Sequence, residues 1–164
     1  MGPAMGAADA CCPRRLRACA EYHQPLEQVW QLWADPRKLE RWWGPPHWPA
    51  TVTVHEFHPG GQVHYDMTGP DGTRYPGWWR VTSIEAPRKL TFTDGFSEAS
   101  GTPDVSMPET TTIVTLEPRS QGGTRMTIES VWDSLETMEK LVAMGMVEGM
   151  TLALGQADAI PAEG

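Results

Sequence analysis

Asp94, His47, Asp66 and Asp133 are the side chains with the chemistry to exchange a proton with a bound molecule. Acid–base work needs an imidazole or carboxyl held away from bulk water. Asp94 shares strand parity with Leu90, Phe92 and Phe96, which directs it to an apolar face and the edge of any cavity there. It also precedes Gly95, and Asp-Gly is a turn dipeptide in which the carboxylate serves the backbone. The turn role is the stronger expectation for Asp94. His47 stands among prolines in Pro45-Pro46-His47-Trp48-Pro49. No Ser-His-Asp pattern, nucleophile elbow or phosphate-cradling glycine loop accompanies them. Gly60-Gly61 and Gly122-Gly123 fall in hairpin turns. Catalysis therefore has only Asp94 and His47 as weak candidates, and binding is favoured over turnover.

Metal chemistry fares worse. His55 and His58 are three apart near a strand and point to opposite sides, and His64 alternates outward from an apolar set. None of these spacings is that of a zinc site. Cys11, Cys12 and Cys19 are odd in number and two are adjacent, which is no disulfide framework. A reduced, cytoplasmic setting is expected, with neither metal nor cofactor.

Aromatic residues carry the stronger signal. Trp30, Trp33, Trp42 and Trp43 are four of eight tryptophans, and the last two open Trp42-Trp43-Gly44-Pro45-Pro46. Gly-Pro-Pro stops a helix, so adjacent indoles there sit at an element's end, where rings line a mouth or close a lid. A net charge of −8 argues against nucleic acid or an anionic membrane as partner. No apolar run approaches the roughly 20 residues of a membrane span, and the first ten residues show no signal-peptide pattern. At 164 residues one domain is expected, burying roughly 70% of its unfolded surface.

The elements that must position these residues follow from periodicity. Residues 1–13 are small and aperiodic and read as a disordered tail; residues 14–161 form the domain. Arg14 to His23 alternates as a strand with Leu16, Ala18, Ala20 and Tyr22 on one face. Leu26, Val29, Trp30 and Trp33 follow at helical spacing, and Asp35-Pro36 caps a second short helix ending at Gly44. Six strands come next: Thr51 to Phe57, Gln62 to Met67, Tyr75 to Ile84, Lys89 to Phe96, Thr110 to Glu117 and Thr124 to Trp132. From Ser134 apolar residues recur at threes and fours to Ile160, about seven turns of one helix. An antiparallel sheet needs one face covered, which gives an α+β architecture: a curved sheet wrapped around a long C-terminal helix.

Five segments in order carry a family likeness. They are Val29-Trp30 through Leu32-Trp33-Ala34-Asp35-Pro36, Trp42-Trp43-Gly44-Pro45, Gly69-Pro70-Asp71-Gly72, Leu90 to Phe96, and Met144-Gly145-Met146 with Glu148-Gly149-Met150. Across residues 14–160 the chain resembles the bacterial START-like (SRPBCC) superfamily. More narrowly it resembles the subgroup related to the activator of the heat-shock chaperone ATPase. The resemblance implies a helix-grip fold and a cavity between sheet and C-terminal helix, used by relatives for hydrophobic molecules and in some for aromatase or cyclase chemistry.

The residues expected to contact a ligand follow. Trp42 and Trp43 are placed at the mouth, and Tyr65, Met67, Phe92 and Phe96 on the strand walls. Trp78 is counted with them, although parity leaves open which of Trp78 and Trp79 faces inward. Gly145 and Gly149 lie four apart on the last helix and leave volume beside Met146 and Met150, which adapt to varied shapes. The loop from Ser97 to Glu109, carrying Met107, is expected to close over the cavity as a lid. The expected partner is a small to medium hydrophobic or aromatic molecule, held for transport, sequestration or antibiotic self-resistance. A cyclase or hydrolase in the same cavity and a surface-acting chaperone-ATPase modulator are the alternatives, and a homodimer is left open.

Overall fold

The computed structural model describes residues 4–5, 14–44, 46–98, 102–104 and 106–157. The chain runs β1 (Ala4–Met5), β2 (Arg15–Tyr22), α1 (Leu26–Ala34), α2 (Pro36–Trp42), β3 (Ala50–His55), β4 (Gln62–Thr68), β5 (Arg74–Glu85), β6 (Lys89–Phe96), β7 (Thr110–Pro118), β8 (Thr124–Val131), α3 (Leu135–Ala143) and α4 (Met146–Ala157). All strands form one antiparallel sheet in the order β1-β2-β8-β7-β6-β5-β4-β3. Hairpins link β3 through β8, and α1 and α2 carry the chain from β2 to the far edge. Of the tail read as disordered, Ala4 and Met5 pair with Cys19 and Ala18; its other residues lie outside the described ones.

The α+β helix-grip architecture read from the sequence is the one observed. Asp35 caps α2 by accepting the Arg37 amide at 2.9 Å, and Pro36 takes the first helical position. Inward parity packs Val63, Trp79, Val81, Leu90, Phe92, Val114, Leu116, Met126 and Ile128 into one core with the four clustered tryptophans. Ala153, Leu154 and Ala157 of α4 close that core from above.

The C-terminal helix departs from expectation. It is not one seven-turn rod but two helices separated at Met144-Gly145. Gly145 has φ +92°, a left-handed conformation that ends α3 and that a β-carbon resists. Helical periodicity continues across the break, so the spacing of apolar residues alone did not reveal it. The last part of the expected helix, through Ile160, lies outside the described residues.

Candidate functional site

The concave face is apolar at one end and polar at the other. Along β6 the inward residues run Leu90, Phe92, Asp94; along β7, Leu116, Val114, Thr112, Thr110; along β8, Met126, Ile128, Ser130. The register sets Asp94 opposite Thr110 and Thr112 opposite Ser130. A polar patch thus crosses three adjacent strands at one end of the face. Above it the helices do not fill the space. A cavity of about 330 Å³ is bounded by that patch, by Trp43, Tyr65, Met67 and Phe96, and by Leu141, Met144, Gly145, Met146, Gly149, Met150 and Ala153 of α3 and α4.

Asp94 corrects the turn expectation. It lies within β6, paired with Trp79 on one side and Thr110 on the other. Its carboxyl reaches the cavity, and Oδ2 accepts from the Thr112 hydroxyl at 3.1 Å. Burial pushes its pKa from 3.8 up to about 7, with the Thr112 bond pulling the other way. Thr110 is engaged elsewhere, accepting from the buried Trp132 indole N–H at 2.8 Å.

Tyr65 stands across from this carboxyl. Burial and then the charge of Asp94 hold its phenol well above the ordinary value, so it remains neutral. The indoles of Trp43 and Trp79 lie near enough to its hydroxyl to favour the ionised form slightly, yet neither indole N–H reaches hydrogen-bond geometry with any described group. Trp43 therefore presents a buried, unpartnered donor on the cavity wall. Gly77 makes room for Tyr65, because a β-carbon there would sit 2.5 Å from the phenol.

Several expected contact residues lie elsewhere. Trp42 is fully buried, donates to the Leu32 carbonyl at 2.9 Å and stacks edge-on against Trp33 at 4.8 Å. It is scaffold beneath the mouth, because helical geometry turns it away from its neighbour Trp43. Phe92 is sealed under Trp79, ring centroids 4.0 Å apart. Of the Trp78–Trp79 pair, Trp79 faces in; Trp78 packs over Gly95 on the other face, donates to the Phe96 carbonyl and lies beneath Arg80. His47 is exposed and does not line the cavity.

The expected lid is also displaced. Ser97 bridges Pro103, Glu98 donates to Thr102, and Asp104 bonds back to Phe96 and to Ser106. The described part of this loop folds back at the end of β6, and Met107 is half-buried and outside the cavity lining. The α3–α4 elbow at Met144-Gly145-Met146 borders the cavity in its place.

Trp43, Tyr65, Met67, Phe96, Met146, Gly149 and Met150 do come together on the cavity wall. Sequence reasoning missed Thr110, Thr112 and Ser130. Their signal was available: three strands keep inward parity while changing from apolar to polar at the same end. Among the described residues no three His, Cys, Asp or Glu side chains form a metal-holding group. No helix among them is long and apolar enough to cross a membrane.

A sheet gripping C-terminal helices over a part-polar cavity defines a START-like protein. Within that class, the chain belongs to the Activator of Hsp90 ATPase homolog 1-like protein family, whose family model matches residues 23–160. It is similar to a solution structure of an Arthrobacter aurescens protein at 49% identity, with a TM-score of 0.86, covering 92% of this chain and 87% of that one. A Mycobacterium smegmatis crystal structure shares 40% identity with a TM-score of 0.83, covering 93% and 92%. A Silicibacter pomeroyi structure at 22% identity and TM-score 0.68, covering 91% and 98%, shares the fold. Comparison with curated proteins gives no match.

Proposed function

We propose that this protein binds a small to medium, largely apolar molecule between its sheet and α3–α4, and that it holds the molecule without transforming it. Transport or sequestration, including self-resistance to a toxic metabolite, fits such a role. The carrying observation is the cavity of about 330 Å³, within the range of roughly 300–1,000 Å³ that small-molecule sites occupy. Four methionines and three aromatic rings give it adaptable walls, and a few polar groups at one end give it orientation.

Native mass spectrometry of the purified protein, followed by solvent extraction, tests this. A reproducible apolar adduct is expected. Gly149→Leu places a side chain in the cavity wall and should abolish the adduct while the protein stays folded. An empty wild-type protein that also ignores apolar probes overturns the reading.

Asp94 favours a second reading, proton transfer of the cyclase type, because a carboxyl that titrates near 7 exchanges protons readily at neutral pH. Deuterium incorporation α to the carbonyl of a bound aryl ketone, lost in Asp94→Asn, would support it. Incorporation no faster than in buffer would dismiss it.

A further inference from the structure

The cavity has a charge pattern that the binding role alone does not require. Among its described lining residues Asp94 is the only carboxyl, and none is lysine, arginine or histidine. One Asp94 oxygen accepts from Thr112; the carboxyl has no other donor among the described residues. Arg80, next along β5 from the Trp79 that pairs with Asp94, lies over Trp78 on the opposite face. Asp94 is half-buried, and an acid set against apolar walls without a counter-charge is unfavourable. What the arrangement supplies is an acceptor with one free oxygen, set in an apolar chamber. Trp43 and Tyr65, whose ring faces attract cations, stand on the same wall.

We propose that the cavity selects ligands bearing a protonated amine, with the ammonium on Asp94 and the apolar body against Trp43, Tyr65 and the methionines of α3–α4. This rests on the cavity being a ligand site. The opposite chemistry, a carbonyl ligand accepting from a protonated Asp94, differs in its pH dependence. An ammonium needs the carboxylate, so its affinity rises as pH rises through about 7; a carbonyl needs the neutral acid, so its affinity falls. Few other groups confuse this profile. β5 offers Trp79, β7 Thr110 and Thr112, β8 Ser130, and α3–α4 their methionines. Among the described lining residues Tyr65 on β4 is the one other titratable group, and it stays neutral throughout. Glu148 of α4 is exposed and outside the lining.

Three probes of similar shape separate the outcomes: 4-butylbenzylammonium, 4-butylbenzyl alcohol and 4-butylacetophenone, titrated calorimetrically from about pH 5.5 to 8.5, where the benzylic amine (pKa about one unit below that of lysine) remains mostly charged. At the upper end the ammonium should bind at least about tenfold tighter than the alcohol. Its affinity should climb by close to tenfold per pH unit below about 7 and level off above. Asp94→Asn keeps an acceptor for Thr112; it should flatten that profile and remove the preference for ammonium over alcohol. Equal binding of ammonium and alcohol, a preference that survives in Asp94→Asn, or ketone affinity that falls with pH while exceeding the ammonium's would each overturn the amine assignment. Should Asp94→Asn fail to fold, the wild-type profiles of the three probes decide by themselves. If none of the probes binds, the amine assignment falls; empty extracts as well would take the cavity reading with it.

Discussion

Thr112 hydrogen-bonds Asp94 diagonally: the register sets Asp94 against Thr110, yet Thr112, two residues along β7, donates to Oδ2 at 3.1 Å. Its register partner Thr110 accepts from Trp132 instead. One hydroxyl therefore opposes a larger burial effect, and the carboxyl titrates near 7 in place of 3.8.

The raised pKa makes stability depend on pH. Between about 4 and 7 the native state holds a proton that the unfolded chain has lost, so stability falls as pH rises through this window and levels above it. Asp94→Asn removes that dependence. Urea denaturation should show the variant more stable than wild type at pH 8.5, by less than the roughly 4 kcal/mol of the full shift because Asp94 is half-buried and faces an open cavity, on the order of 1–3 kcal/mol. The gap should shrink towards pH 4. A constant gap across the range would mean that the carboxyl is not desolvated.

Trp42 and Trp43 are adjacent but should behave differently. Trp42→Ala removes a fully buried ring and its bond to Leu32, at a cost of about 3–5 kcal/mol in chemical denaturation. Trp43→Phe removes an unpartnered N–H and keeps most of the packing, for a loss of about 1 kcal/mol or less. Probe affinity should change in Trp43→Phe, because that ring lines the cavity. Equal stability losses in the two variants would contradict the assignment.

Gly145 distinguishes an elbow from a continuous helix by the sign of one measurement. Alanine at φ +92° is strained although its β-carbon would meet nothing closer than Glu148 Oε2 at 3.8 Å. Gly145→Ala should destabilise by about 1–2 kcal/mol. In an unbroken helix the same change would stabilise by roughly 1 kcal/mol.

Gly77→Ala tests whether Tyr65 depends on the missing side chain beneath it. The new carbon would fall 2.5 Å from the Tyr65 phenol, so the ring must move towards the cavity. A loss of about 1–3 kcal/mol is expected, together with weaker binding of every probe. An unchanged Tyr65 chemical shift would show that the ring has space that the geometry denies it.

The sequence by itself determined the order of elements, because alternation, caps and turn residues are local. Arg15–Tyr22 and Lys89–Phe96 form the strands that their parity indicates, and Asp35-Pro36 opens α2. It also placed Trp43, Tyr65, Met67 and Gly149 on one wall, since parity and helical spacing say which way a side chain points. Tertiary structure decided the rest. Trp42 and Phe92 share those patterns but are sealed by Trp33 and Trp79, partners distant in sequence. Trp79 took the inward place because the register of β5 on β4 and β6 sets it opposite Val63 and Asp94. Asp94-Gly95 has turn chemistry, and pairing with β5 and β7 made it strand instead. Local pattern gives direction along one element; only pairing and packing between elements fix which inward side chains meet another residue and which meet open space.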